Sequence, residues 1–304
     1  MVRVYPTVNC DIATFNCKNL SITDPQRIIW IADTISTSNS DIVAIQEISH
    51  IEAINEIVTI LGNEWNGVTE LNPINTNRRV KEYMGFIYKK NKITLIATHT
   101  FTDNDLTAYI GSNKKLQKRS PVYARFIIEK TTDIVIINYH MDPANPIYDC
   151  VNINKNIKAI EKTNKINNIV ILGDFNTDCN NCDAFRKIIN KGWMPSLSSG
   201  IPTNYNEQHQ YDNLWYNPTR IGLIKPTKVF RECIPLGSTI YTYTDHCLVM
   251  SKFAIICGLS KNANTFNPPD MSFVIRNRFK TLKRLCCNCC CNTKMICKFE
   301  VANN

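Results

Sequence analysis

No apolar run in this 304-residue chain approaches the roughly 18 residues that a membrane-spanning helix requires. The opening residues, Met1-Val2-Arg3-Val4-Tyr5-Pro6, lack the apolar core of about 7–15 residues that marks a secretory signal. There is no internal repeat. The fourteen cysteines form no regular framework, and Cys179-x-x-Cys182 is the one close pair in the first 270 residues. Free thiols in an intracellular, reducing compartment, the cytoplasm, are therefore expected. Hydrophobic residues at 44% and charged residues at 20% describe a globular chain and exclude wholesale disorder, a collagen repeat and a coiled coil.

Charge is spread unevenly. Lys and Arg number 35 against 26 Asp and Glu, a net +9. Met271–Asn304 holds seven basic residues and one acid, so +6 of the surplus sits there and +3 on the first 270 residues. A basic balance points to a polyanionic partner, and here most of it rides on an appendage. Six cysteines lie there too: Cys286, Cys287, Cys289, Cys290, Cys291 and Cys297. Pro268-Pro269 breaks the chain just before. The expected organisation is a catalytic domain over 1–258 and a basic, Cys-rich tail over 259–304. Asp270 is placed to cap a helix with the apolar stripe Ile275, Phe279, Leu282 and Leu285. Beside several thiols, such a helix suits S-acylation and association with an anionic membrane. A disordered tail binding nucleic acid by charge and a zinc site are the alternatives, the zinc spacing being poor.

Short β-branched runs alternate with helix-compatible stretches. Strands are predicted over Asp11–Asn16, Ile42–Gln46, Gly85–Tyr88, Ile93–Thr98, Val122–Ile128, Ile134–Tyr139, Ile169–Leu172, Asn213–Tyr216 and Cys247–Ile255. Helices are predicted over Pro25–Ser38, Ile51–Leu61, Asn152–Asn164 and Asp183–Asn190; Ile153, Ile157 and Ile160 share one helical face. Many strands and few helices imply two packed sheets with helices outside.

Polar residues interrupt these strands at their ends. Ile169-Val170-Ile171-Leu172 runs into Gly173-Asp174-Phe175-Asn176, and residues two apart on an extended chain face the same way. A carboxylate beside an amide suits a hard cation or a phosphoryl group; a turn using its own Asp and Asn is the alternative. Asp41–Glu47 ends in a carboxylate, Ile136–His140 in an imidazole and Thr14-Phe15-Asn16 in an amide. Asp212 precedes the strand Asn213-Leu214-Trp215, and Asp245-His246 precedes Cys247–Met250. Carboxylates of this kind can hold Mg²⁺, while two histidines can straddle a phosphodiester as base and acid, a contribution of about 10²–10⁴-fold in rate.

These stretches together resemble the endonuclease/exonuclease/phosphatase superfamily, its deoxyribonuclease I-like branch most closely. The matching segments are Ala13–Asn16, Asp41–Glu47, Val68-Thr69-Glu70, Lys118-Arg119-Ser120-Pro121, Tyr139-His140, Gly173–Cys179, Pro202-Thr203, Tyr211-Asp212 and Thr244-Asp245-His246, in the family's order. The resemblance implies an α/β (α+β) fold, a four-layered α/β/β/α sandwich of two mostly antiparallel sheets. It implies Glu47 as principal Mg²⁺ ligand (Mn²⁺ substituting), with Asn16 and Asp245 nearby. Asp174 and Asn176 would hold the metal or the scissile phosphate. His140 would be the acid-side histidine partnered by Glu70, and His246 the base-side histidine partnered by Asp212. Arg119, Lys18 and Thr203 would contact phosphates.

Three positions depart from the pattern. Ser49 and Val68 stand where the branch has a groove-binding arginine and a sugar-packing tyrosine, and Gln208-His209-Gln210 where Cys179 would have a disulfide partner. Arg78 and Arg79, in an extra segment after Glu70, are candidate replacement phosphate contacts. The expectation is an intracellular, monomeric, Mg²⁺-dependent phosphodiesterase acting on nucleic acid, an endodeoxyribonuclease. A sphingomyelin or inositol-phosphate phosphoesterase of the same superfamily and a catalytically inactive scaffold are the rivals.

Overall fold

The apolar strands pair into two sheets in the computed structural model, which describes residues 5–74, 81–101, 119–150, 152–164, 166–231 and 243–258. The first sheet contains β1 (Thr7–Leu20), β2 (Ile42–Ile48), β3 (Trp65–Thr69), β4 (Tyr83–Lys89), β11 (Ile221–Leu223), β12 (Lys228–Phe230) and β13 (Leu248–Ile256). Its order is β11-β13-β1-β2-β4-β3, with β12 also on β13. The second contains β5 (Ile93–Thr100), β6 (Val122–Ile128), β7 (Thr132–His140), β8 (Ile169–Asp174), β9 (Met194–Pro195) and β10 (Asp212–Tyr216), in the order β5-β6-β7-β8-β10-β9. Pairing is antiparallel except at β1–β2 and β7–β8, which lie side by side in the middle of their sheets. The tail over 259–304, Arg78 and Arg79 lie outside the described residues.

Alternation along the strands builds three apolar layers. Ile42 and Ala44 join Ile134 and Ile136 in the core between the sheets, where Phe86 meets Phe126 edge-on at 5.7 Å. Val43 and Ile45 point the other way, under α1 (Pro25–Ser38) and α2 (Ala53–Leu61). Val135 and Ile137 do the same on the second sheet, under α4 (Ile153–Asn164) and α5 (Cys182–Ile189), with the short α3 (Pro146–Cys150) before them. Central strands buried on both faces are apolar at nearly every position, which is why they read as continuous runs. The result is the expected four-layered sandwich.

Helix α1 follows its local chemistry. Asp24 caps it by accepting from Arg27 N at 3.1 Å, Pro25 occupies the first turn, and Asn39 ends it in the left-handed conformation. The four predicted helices all form, within two residues of their expected ends. The strands β3, β9, β11 and β12 and helix α3 were not anticipated. Each is short, from two to five residues, and is defined by its neighbours rather than by a pattern of its own. Among the described residues no helix is long and apolar enough to cross a membrane.

Beneath one end of the sandwich a buried amide pair ties the sheets together. Gln46 Nε2 donates to Asn138 Oδ1 at 2.6 Å, and Asn138 Nδ2 donates to the Ile45 carbonyl at 3.1 Å. Gly173, in β8, sits at φ +133° where a Cβ would lie 1.9 Å from the Tyr139 carbonyl oxygen. That close approach lets β8 stay paired with β7 up to Asp174, which lies opposite His140. Gly173→Ala should therefore destabilise the protein by about 3 kcal/mol or more, read from urea unfolding midpoints at unchanged m.

Candidate active site

Strand register brings the expected residues to one end of the molecule. The two parallel pairs point their carboxyl ends the same way, placing Asn16 and Glu47 toward the ends of β1 and β2, and His140 opposite Asp174 in β7–β8. Antiparallel β10 begins at that end, so Asp212 lies opposite Asp174 from the other side. Ligands commonly bind outside the carboxyl ends of such strands.

The side chains converge on one oxygen, Oδ2 of Asp174, which is 1% exposed. Asn16 Nδ2 donates to it at 2.9 Å, His140 Nε2 lies 3.7 Å away and His246 Nε2 3.6 Å away. Its other oxygen accepts from Asn176 N at 2.8 Å. Burial pushes this carboxyl up, opposed by the two imidazoles and the Asn176 amide.

Each histidine is held from behind by a carboxylate. His246 Nδ1 donates to Asp212 Oδ2 at 2.8 Å, and Thr203 Oγ1 donates to the same oxygen at 2.8 Å. His140 Nδ1 bonds Glu82 Oε1, and Arg119 Nη2 lies 3.5 Å from Glu82 Oε2. Burial lowers the affinity of both imidazoles for protons, but their carboxylates outweigh it. His140 is raised by Glu82 and then Asp174, and His246 is raised to about 10 by Asp212 and Asp174. Glu47, held by Asn16 Nδ2 at 3.0 Å and Asn19 N at 3.0 Å, lies 3.7 Å from His140 Nε2 and faces solvent. Lys18 and Asp245 meet at the rim, Nζ to Oδ2 3.7 Å.

No protein-family model and no curated protein sequence matches the chain. Solved structures do. An endonuclease/exonuclease/phosphatase from Bacteroides vulgatus matches with a TM-score of 0.60 at 17% identity, over 82% of this chain and 99% of that one. A Bacteroides thetaiotaomicron mannosyl-6-phosphatase matches at 0.58 and 17%, over 80% and 99%. The human Nocturnin catalytic domain, solved with a bound sulfate anion, matches at 0.59 and 13%, over 82% and 94%. The chain has the endonuclease/exonuclease/phosphatase fold.

Within that fold two expected roles change. Glu70 does not partner His140: its carboxylate accepts from Asn72 Nδ2 at 2.8 Å, and Glu82 occupies the place. Glu70 follows β3 and Glu82 precedes β4, two antiparallel neighbours, so both reach the same end and linear spacing cannot choose between them. Glu82 is thus the residue that sequence reasoning missed; its signal was a carboxylate just before the apolar strand Tyr83–Lys89. Thr203 is fully buried, its hydroxyl donating to Asp212 and accepting from Tyr211 N and Asp212 N at 3.0 Å each. It fixes Asp212 and has nothing left for a phosphate. Asn16 gives both amide hydrogens to Glu47 and Asp174, and its oxygen accepts from Lys18 N at 2.9 Å, so it orients both carboxylates. Arg119 is buried against Glu82 and the Met141 carbonyl. Asn176 Nδ2 donates to the Met141 carbonyl at 2.9 Å. Cys179 is a free thiol, its Sγ 3.4 Å from Gln210 Oε1, as the missing partner cysteine led us to expect.

The donor set fits a metal ion. Ligand atoms of Glu47, His140 and Asp174 lie within 4.8 Å of one another, as do those of Asp174, Asp212 and His246. Of these groups, the Glu47 and Asp174 carboxylates are each held in place by amide donors. In the ion-free protein the His246 imidazolium is stabilised by folding, because its pKa of about 10 lies above the unfolded value. That contribution is complete below about pH 6.5, the unfolded histidine value, and is lost as pH rises through about 10. Urea titrations of metal-free wild type and His246→Gln from pH 6 to 10 should converge at high pH. A constant gap would contradict the shift.

Proposed function

We propose that the chain is a divalent-metal-dependent phosphodiesterase acting on nucleic acid, an endodeoxyribonuclease using Mg²⁺ or Mn²⁺. The observation that carries this reading is the pair of carboxylate-backed imidazoles facing one buried carboxylate oxygen, 3.7 and 3.6 Å from it. Two such groups on either side of a phosphoryl group supply the acid and the base of a hydrolysis. Support for a nucleic-acid substrate comes from the deoxyribonuclease I-like motifs and from the aromatic edge of the site. There the His209 and Tyr211 rings stack at 4.8 Å and 8°, with Tyr211 6.4 Å from the His246 ring. Flat rings beside a phosphate site suit bases and sugars.

A bound divalent ion supplies charge neutralisation at the phosphoryl oxygens and at the carboxylates, which also eases release of the histidine protons. Glu47 and Asp174 would hold it. His246, fixed through Nδ1 by Asp212, takes a proton from the attacking water at Nε2. His140, fixed through Nδ1 by Glu82, gives its Nε2 proton to the leaving oxygen. Water adds to phosphorus, the P–O ester bond breaks, and the products are a phosphomonoester and a free hydroxyl. Lys18 meets Asp245 at the rim of the site, and Arg119 acts through Glu82.

A phosphomonoesterase is the second reading, favoured by the likeness to the mannosyl-6-phosphatase. Purified protein assayed on plasmid DNA, single-stranded DNA, RNA, sphingomyelin liposomes and sugar phosphates separates the two. Mg²⁺-dependent nicking of plasmid, lost in EDTA, is the expected result, and cleavage confined to monoesters or lipid would overturn it. His140→Ala and His246→Ala should each lower nicking at least about 10²-fold. Glu82→Gln should cost about 10-fold or more, whereas Glu70→Gln should stay within about threefold of wild type.

A further inference from the structure

Between Asn16 and Leu20 the register of β1 against β2 shifts, and this irregular stretch carries three carbonyls that face one buried side chain. Arg27, in the first turn of α1, is 8% exposed, and among the described residues no carboxylate pairs with its guanidinium. Its Nη2 donates to the Cys17 and Lys18 carbonyls, and its Nη1 reaches the Asn19 carbonyl at 3.5 Å. A peptide unit points its N–H opposite to its C=O. The unit whose carbonyl belongs to Cys17 therefore offers Lys18 N, which donates to Asn16 Oδ1 at 2.9 Å. The unit whose carbonyl belongs to Lys18 offers Asn19 N, which donates to Glu47 Oε2 at 3.0 Å. Lys18 and Asn19 both sit in the left-handed region, φ +41° and +52°, which non-glycine residues occupy only when something holds them.

We infer that Arg27 is a positioning residue of the metal site. Its guanidinium grips the carbonyl ends of two peptide units whose N–H ends hold the Asn16 amide and the Glu47 carboxylate. The inference rests on the reading that Glu47 holds the ion. The arrangement places a positive charge on the far side of each peptide, polarising its N–H toward the site. It also fixes the Asn16 amide, so that Nδ2 faces Glu47 Oε1 and Asp174 Oδ2 at 3.0 and 2.9 Å. Arginine suits the task because its planar fork presents several donors at once, whereas a lysine ammonium is a single point.

The test is calorimetric titration of Mn²⁺ into wild type, Arg27→Met, Arg27→Lys and Arg125→Met, with amide hydrogen exchange of the metal-free proteins. Arg27→Met should weaken the ion about tenfold, and Arg27→Lys should recover part of that loss. Exchange at Lys18 and Asn19 should quicken about tenfold more than elsewhere in β1. Arg125 is buried more deeply still, bonded to Asp133 at 3.1 Å through both Nε and Nη2, and sits in β6 of the other sheet. Arg125→Met should destabilise the fold yet keep wild-type ion affinity. Should Arg27→Met not fold, Arg27→Lys decides by the same two readings. Folded Arg27 variants with wild-type affinity and wild-type protection would overturn the proposal, as would an equal loss of affinity in Arg125→Met. A wild type that binds no ion would overturn the metal reading itself; protection at Lys18 and Asn19 then still decides whether Arg27 holds the turn.

Discussion

A carboxylate withdrawn from water must be repaid in hydrogen bonds and opposite charge, and the architecture around Asp174 is organised by that requirement. One of its oxygens takes an amide donor from β1 and faces two imidazoles, and the other takes a backbone N–H. These partners come from both sheets and from segments far apart in the chain. Asn16 links the carboxylate across the interface to Glu47, so a cation drawn to one meets the other already aligned. The histidines in turn need their own counter-charges, Glu82 and Asp212, and these need Arg119 and Thr203. The site is therefore a set of nested compensations that starts at one buried oxygen.

The sandwich makes such convergence possible because its two central strand pairs are parallel. Parallel neighbours deliver their ends together, and two parallel pairs stacked face to face deliver four strand ends to one place. The buried Gln46–Asn138 amide contact lies just below, fixing the sheets to each other where the site requires it. Fully apolar packing there would leave the sheets freer to slide, whereas directional hydrogen bonds specify one alignment.

Much of this was legible in the amino-acid order. Strands buried on both faces announce themselves as unbroken β-branched runs, and Asp24-Pro25 marks the start of α1 through capping chemistry that needs no tertiary context. The polar strand ends at 16, 47, 140, 174, 212 and 246 were visible because a charged or amide group ending an apolar strand is costly unless it has a use. The failures share a physical cause. Glu70 and Glu82 flank one connection and reach the same end of adjacent strands, and only three-dimensional placement shows which carboxylate meets the imidazole. Thr203 was assigned an outward role, yet its hydrogen-bonding capacity is consumed by neighbours. Sequence identifies a polar group; it does not tell whether that group has a donor left over. The short strands β9, β11 and β12 escaped for a related reason, since edge pairing is conferred by a partner.

Glu47 is in the left-handed region at φ +58°, a conformation that suits asparagine or glycine and is costly for a long side chain by about 1–2 kcal/mol. The protein would hold together better with a different residue there. The backbone tension is set against aim: in this conformation the carboxylate takes Asn16 Nδ2 on one oxygen and Asn19 N on the other, each at 3.0 Å.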